Sequence, residues 1–328
     1  MPRFASLDVG SNTVRLLIAE PKPDLTFRTL RRERIITRLG GDFSAAQKLD
    51  ETSMERTIGA LQSFGELLQR ENVEKVFAAG TGVLREARNG LVFQEKVRER
   101  TGIRLRLLTG EEESLLMLRG VLSSLREPDA PHLVTDVGGW STEVLWVEKG
   151  KMIRTASLGL GAVALTEKFV HHDPPADSEL DALNEYIRRS LRELRRAWEK
   201  KEGGRLEDLH PRLVGTAGTA TTLGAIDLAL PAYDPQRVNG HRISLLGLGE
   251  INRRLQSLPL DDRRKVVGLE KGREDLIVAG SAILLNLLEI FERSALEVID
   301  SGLLEGILLE GMEKSIEQRA ESGEERKD

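Results

Sequence analysis

Apolar and polar positions follow one order twice along the chain. Ala5-Ser6-Leu7-Asp8-Val9 leads through Gly10-Ser11-Asn12 into Thr13-Val14-Arg15-Leu16-Leu17-Ile18, a pattern that predicts strand, tight turn, strand. His132-Leu133-Val134-Thr135-Asp136 leads through Val137-Gly138-Gly139-Trp140-Ser141 into Thr142-Glu143-Val144-Leu145-Trp146-Val147, with the same expectation. Later in each half an apolar strand runs through a Gly/Thr loop into a helix: residues 73–79 into Gly80-Thr81-Gly82, and Leu213-Val214 into Gly215-Thr216-Ala217-Gly218-Thr219. One such hairpin is an ordinary turn. Two, each followed by a Gly-Thr helix entry, predict duplicated domains.

Between these landmarks the periodicity predicts a third strand over 26–38, a helix over 49–71 with Ser53 as its N-cap, a helix from about 83, and another over 91–101. A strand over 104–108 precedes a helix opened by Thr109-Gly110-Glu111-Glu112-Glu113. The polar, Pro-marked stretch 126–131 reads as a connection. It divides the chain into 1–126 and 127–311, with a last helix that could pack back on the first domain and a charged, fraying tail over 312–328. In the second half, helices are expected over 178–200, with Ile187, Leu191, Leu194 and Trp198 on one face, and over the strongly apolar 275–291. A strand over 297–300 leads into the last helix.

The length of 328 residues suits two domains. A net charge of −5 and few aromatics argue against nucleic acid as a partner. Without cysteine there is neither disulfide nor thiol chemistry. No apolar run approaches a membrane span, and Met1-Pro2-Arg3-Phe4 leads straight into a strand. A cytoplasmic protein with no membrane partner is expected, with room for a homodimer.

The candidate chemistry is phosphate chemistry. Glycines leave backbone amides uncovered beside Ser and Thr hydroxyls, which suits phosphate oxygens. Phosphate-binding candidates are Gly10, Ser11, Thr81 and Gly82, then Gly138, Gly139, Ser141, Gly215, Gly218, Thr219 and Arg273. Asp8, Asp136 and Glu143 are candidate carboxylates for a Mg²⁺, or Mn²⁺, that carries phosphate. The strand-loop-helix at Gly80-Thr81-Gly82 suggests an anion site at a helix N-terminus. Arg85 follows in the first turn, where it can meet an anion or form a surface ion pair. Glu111, Glu112 and Glu113 suit the positive end of a helix dipole, or one of them serves as a general base. His171-His172-Asp173 sits in a Pro-rich loop and reads as a capped loop rather than a metal site. Arg188, Arg189, Arg192, Arg195 and Arg196 read as a solvated helix face.

In this order and spacing, these stretches resemble the exopolyphosphatase and guanosine pentaphosphate phosphatase family (Ppx/GppA). Its marks here are Leu7-Asp8-Val9-Gly10-Ser11-Asn12-Thr13-Val14-Arg15-Leu16, Thr81-Gly82-Val83-Leu84-Arg85-Glu86-Ala87 and Gly110-Glu111-Glu112-Glu113. Asp136-Val137-Gly138-Gly139 with Ser141-Thr142-Glu143, Gly161-Ala162-Val163 and Gly215-Thr216-Ala217-Gly218-Thr219 complete the set. The resemblance runs from Phe4 to about Gly311, without an appended HD-type domain. It implies an α/β chain of two actin-like (sugar kinase/Hsp70/actin, ribonuclease H-like) domains around a central cleft. It implies metal-dependent hydrolysis of a terminal phosphoanhydride in polyphosphate or guanosine pentaphosphate (pppGpp), and the alternative is a catalytically weak sensor of ppGpp or ATP. Carried over, Glu113 activates water, Asp136 and Glu143 lie near the metal, and Asn12, Arg15 and Arg85 hold phosphate. The chain departs from the family at Trp140, where a third Gly is usual, and at Leu304, where an Arg is usual. Trp140 is expected to shape substrate choice, unless it packs under the hairpin as core.

Overall fold

The computed structural model describes residues 2–22, 26–41, 43, 47–202 and 208–321. It divides into two units, one running to Ser123 and resuming at Gly302, the other spanning Ser124–Ser301.

In the first unit β1 (Phe4–Val9), β2 (Thr13–Pro21) and β3 (Phe27–Ile36) form an antiparallel meander. After α1 (Glu51–Arg70), β4 (Lys75–Gly80) returns parallel to β1. The short α2 (Val83–Glu86) and α3 (Gly90–Thr101) lead to β5 (Leu105–Leu107), parallel to β4, and α4 (Gly110–Leu122) follows. The sheet order is β3-β2-β1-β4-β5. Central β1 is buried along its whole length, including Ser6 and Asp8, as expected for a strand covered on both faces.

The second unit repeats the plan. β6 (His132–Val137), β7 (Thr142–Glu148) and β8 (Lys151–Leu158) form the meander. After α5 (Ala162–Phe169) and α6 (Asp177–Glu202), β9 (Arg212–Thr216) runs parallel to β6. α7 (Ala217–Asp227), α8 (Pro235–Val238), β10 (His241–Ser244), α9 (Leu245–Ser257), α10 (Leu260–Arg263) and α11 (Ile277–Ile290) precede β11 (Ala295–Val298). The order β8-β7-β6-β9-β11 matches the first sheet, with β10 added antiparallel at the edge. Its core is built on α11, where Val278, Ala279, Ala282 and Ile283 are wholly buried, and on Trp146, Ile187 and Leu191. Each unit is thus actin-like, ribonuclease H-like α/β.

The division differs from the sequence reading at its C-terminal end. Residues 302–311 belong to the first unit, not the second. The last helix, α12 (Leu303–Glu321), carries Leu304, Leu308 and Met312 onto Phe4, Leu17 and Ala19. A Cβ on Gly306 would lie 1.8 Å from the Leu116 carbonyl oxygen, and one on Gly120 would lie 1.8 Å from that of Gly302, so only glycine lets α4 and α12 approach this closely. Leu304 is therefore a core residue here, and its carbonyl accepts the buried Ser6 hydroxyl at 2.7 Å. Next to it, buried Glu305 takes the Gly302 amide and Arg32, both at 2.6 Å. The expected fraying from 312 is also corrected: helix continues to Glu321 with Met312 and Ser315 buried, and 322–328 lie outside the described residues.

Smaller differences have local causes. Asp50, not Ser53, caps α1, its carboxylate accepting the Ser53 amide at 2.9 Å. The arginines of α6 are mostly spent on glutamates, as in Arg189–Glu193 and Arg195–Glu199. In the His171-His172 loop, the Glu179 carboxylate accepts three amides and faces the His172 ring, and this holds it at about 2, well below the usual range. No helix among the described residues is long and apolar enough to cross a membrane.

Candidate active site

In the first unit the predicted residues gather at the C-terminal ends of β1 and β4. Val9 pairs with Gly80 in register, so the Gly10 turn and the Thr81-Gly82 loop emerge side by side. The Thr81 amide donates to the Val9 carbonyl at 3.2 Å. The Gly10 amide closes its turn on Thr13 O at 3.0 Å, while the amides of Ser11 and Asn12 have no partner among the described residues. Their carbonyls are occupied instead: Ser11 accepts Gly40 at 2.7 Å, and Asn12 accepts Thr37 and Arg38 at 3.0 Å. Gly82 sits at φ +52°, and a Cβ there would lie 3.1 Å from Ser11 Oγ. The two loops therefore press together with amides left over for an anion.

α2 then brings Arg85 round. With only four residues, α2 is too short to supply the helix-terminus site expected from the sequence. Arg85 itself supplies the charge. Its Nη1 donates to the Leu108 carbonyl at 2.9 Å and to Glu113 Oε2 at 3.0 Å. Nε and Nη2 have no partner among the described residues. The ion-pair alternative for Arg85 is thus realised with Glu113 itself, the candidate base.

The three glutamates of α4 separate by environment. Thr109 and Glu112 form a reciprocal capping box. Arg106 adds a 2.5 Å bond to Glu112, and together these hold the Glu112 carboxyl at about 2. Glu111 is exposed. Glu113 is left facing Arg85, with 18% of its side chain exposed.

Asp8 and Arg15, assigned separately to metal and to phosphate, are partners: Arg15 Nε and Nη2 reach Asp8 Oδ2 at 2.9 and 2.5 Å. Asp8 Oδ1 is buried without a hydrogen bond.

The second unit builds a matching hairpin. The Gly138 amide closes on Ser141 O at 2.9 Å, the counterpart of Gly10 on Thr13. The Gly139 amide has no partner among the described residues. The carbonyls of Gly138 and Gly139 accept the first amides of α5, from Ala162, Val163 and Ala164, at 2.9, 2.8 and 3.1 Å. Those amides are therefore not available to a ligand. Asp136, Glu143 and Ser157 stand opposite one another across β6, β7 and β8. Glu143 Oε1 accepts Ser141 Oγ at 2.7 Å and Ser157 Oγ at 2.9 Å. Ser157 was not among the residues read from the sequence. Trp140 is half-buried, so it is neither hidden core nor fully exposed.

Two residues of the second Gly-Thr loop have packing and hydrogen-bonding roles. Gly215 lies inside β9, where a Cβ would meet Leu296 at 2.9 Å and Ala220 at 3.0 Å. Buried Thr219 spends its hydroxyl on Val137 O at 3.0 Å. Arg273 lies across Gly218, where a Cβ would fall 1.8 Å from Nη2, and its Nε reaches Glu270 at 2.6 Å. Ala217 between them is held at φ +60°, a strained value for a residue with a Cβ.

No group of three or more metal-capable side chains occurs among the described residues. Mg²⁺ needs no such cage, because it keeps several waters and takes one or two carboxylates plus substrate phosphate. The cross-strand pair Asp136 and Glu143 of the second unit meets that need with hard oxygen donors. The residues fit the ion.

Duplicated hairpins with open amides, an arginine holding a carboxylate, and actin-like sheet order define a phosphate-handling enzyme. The model of the Ppx/GppA phosphatase family matches residues 17–315, and the chain belongs to that family. Exopolyphosphatase 2 of Mycobacterium tuberculosis is 31% identical over 94% of this chain and 98% of its own length. A guanosine-5'-triphosphate,3'-diphosphate pyrophosphatase of Photobacterium profundum is 26% identical over 95% of this chain and 60% of its own. The crystal structure of the Aquifex aeolicus Ppx/GppA family member is 32% identical with TM-score 0.79, covering 96% of this chain and 98% of that one.

Proposed function

We propose that this hydrolase removes the terminal phosphate from inorganic polyphosphate, pppGpp or both. The carrying observation is Arg85, three residues after Gly82, which grips Glu113 through one nitrogen while Nε and Nη2 have no partner among the described residues. The names of the relatives, exopolyphosphatase and guanosine-5'-triphosphate,3'-diphosphate pyrophosphatase, support this substrate class.

In the proposed reaction the amides of Ser11 and Asn12 and the unpartnered Arg85 donors hold the terminal phosphoryl oxygens. Water attacks the terminal phosphorus in line. As the new P–O bond forms, Glu113 accepts the water proton. The bridging P–O bond breaks with its electron pair leaving on the shortened chain, a good leaving group that needs no strong acid. Charge spreads over the transferred oxygens, where positioned donors count most. Asp136 and Glu143 would hold a Mg²⁺ or Mn²⁺, which when bound supplies further charge neutralisation on phosphate.

Phosphate release from long polyphosphate, pppGpp and ATP, run in parallel with and without Mg²⁺, tests the reading. Release from polyphosphate or pppGpp with Mg²⁺ supports it, and release from neither refutes it. Excess chelator should abolish turnover, and Asp136→Asn should raise the Mg²⁺ concentration required. Full activity in chelator would remove the metal from the account.

Arg85→Lys should lower kcat/KM by about 10²-fold, because lysine cannot hold Glu113 and a phosphate oxygen in one planar fork. An unchanged kcat/KM would leave Arg85 a surface ion-pair partner only. Trp140→Gly should raise the rate on long polyphosphate selectively if the half-buried ring narrows the path for a chain. Equal changes on long polyphosphate, tripolyphosphate and pppGpp, tracking a lower Tm, would make the ring structural.

A further inference from the structure

At the end of the second sheet away from its Gly-Thr loop lies a pocket of about 240 Å³, lined in part by His210, Arg212, Arg242, Glu292, Arg293 and Glu297. Arg212 opens the 5-residue β9, whose far end enters the Thr216 loop. At roughly 3.3 Å per residue, the pocket stands more than ~10 Å from that loop.

Some of its charges are already matched. Arg212 makes two bonds to Glu127, at 2.8 and 3.0 Å. Glu292 is taken by Arg195 at 2.7 Å. Glu297 stands opposite Arg242 in the β10–β11 register, but no ion pair joins the two side chains.

Two arginines keep spare donors. The Arg242 side chain makes no hydrogen bond or ion pair among the described residues. Arg293 reaches only the His210 ring, at 3.3 Å, and its Nε is buried without a partner. Burial, and then Arg195 nearby, push the Arg293 guanidinium pKa down against an opposing pull from Glu292, as for a buried cation that is only partly compensated. A buried donor without a partner is costly, and an anion would satisfy it.

Pockets for drug-sized ligands run to roughly 300–1,000 Å³, so this smaller one suits an anion of few atoms. We propose that it binds one tetrahedral oxyanion of the phosphate class, free phosphate or the phosphate of a small ester, with Arg293 and Arg242 as donors and His210 beside them.

The test is equilibrium dialysis of the full chain against radiolabelled inorganic phosphate, for wild type, Arg242→Gln, Arg293→Gln and Arg85→Gln. One class of phosphate binding should weaken about ten-fold or more in each pocket variant, the size expected for a lost charge-assisted hydrogen bond. Hydrolysis should be unchanged in both pocket variants, and that binding class should survive Arg85→Gln. Arg242 is exposed, so Arg242→Gln keeps the test valid should Arg293→Gln lower the Tm. Competition by glucose 6-phosphate would identify an ester site, and lack of competition a site for free phosphate. Identical phosphate binding by wild type and both pocket variants, or binding lost only in Arg85→Gln, would overturn the proposal.

Discussion

Glu113→Gln should fold normally, still bind substrate, and lose about 10²–10⁴-fold in kcat, the range for a missing general base. Glutamine keeps the shape and can still accept from Arg85 Nη1 through its carbonyl oxygen, but it cannot take a proton from water. The neighbouring variants are the control. Glu111→Gln should change nothing, because that side chain is exposed. Glu112→Gln should act on stability instead, because its carboxylate closes the capping box and holds Arg106. The folded state holds the Glu112 pKa at about 2, against an ordinary 4.5. Its contribution is therefore full above about pH 4.5 and is lost as pH falls towards 2. With 37% of the side chain exposed, water screens the pair, and the loss should be only about 1 kcal/mol. Steady-state kinetics and thermal melts of the three variants separate these outcomes. Normal turnover in Glu113→Gln beside a dead Glu112→Gln would shift the base by one residue.

Gly161→Ala should disable the second hairpin. An added Cβ would lie 2.2 Å from the Gly139 carbonyl oxygen and 2.3 Å from both Cα and C of Trp140. These are backbone atoms and cannot swing aside as a side chain would. The hairpin must move, and its Gly138 and Gly139 carbonyls must release the first amides of α5. A destabilisation of roughly 3 kcal/mol is expected, with loss of activity at temperatures where the chain is still folded. Gly159→Ala, two residues earlier, meets nothing within 4 Å and should be close to silent. Equal Tm values for the two variants would show that the hairpin accommodates the methyl group.

Much of this was legible in the sequence. Apolar runs and Gly-rich turns marked both hairpins, and the repeat of hairpin and Gly-Thr loop announced two copies of one plan. What stayed hidden depended on tertiary pairing. The sequence left open that the last helix packs on the first domain, but nothing local fixes where it crosses, since the close α4–α12 approach needs Gly120 and Gly306 together. Nor does spacing join Arg85 to Glu113 rather than to adjacent Glu86. Ser157 was concealed by a register shift. Counted back from the Lys149-Gly150 turn, Ala156 would face Glu143, but an irregularity at Trp146/Val147 puts Ser157 there. In the second Gly-Thr loop, sequence alone does not show that a Cβ at Gly215 would crowd Leu296 or that the Thr219 hydroxyl meets a β6 carbonyl.

Hydrolysis in ¹⁸O-labelled water tests the central claim most directly. Wild-type protein is given polyphosphate or pppGpp with Mg²⁺ for a single turnover, and the products are read by mass spectrometry, with Glu113→Gln alongside. Water attack on the terminal phosphorus predicts one ¹⁸O in the released phosphate, none in the shortened chain or nucleotide, and almost no product from Glu113→Gln. Label in the remaining chain, or released phosphate without label, would contradict it.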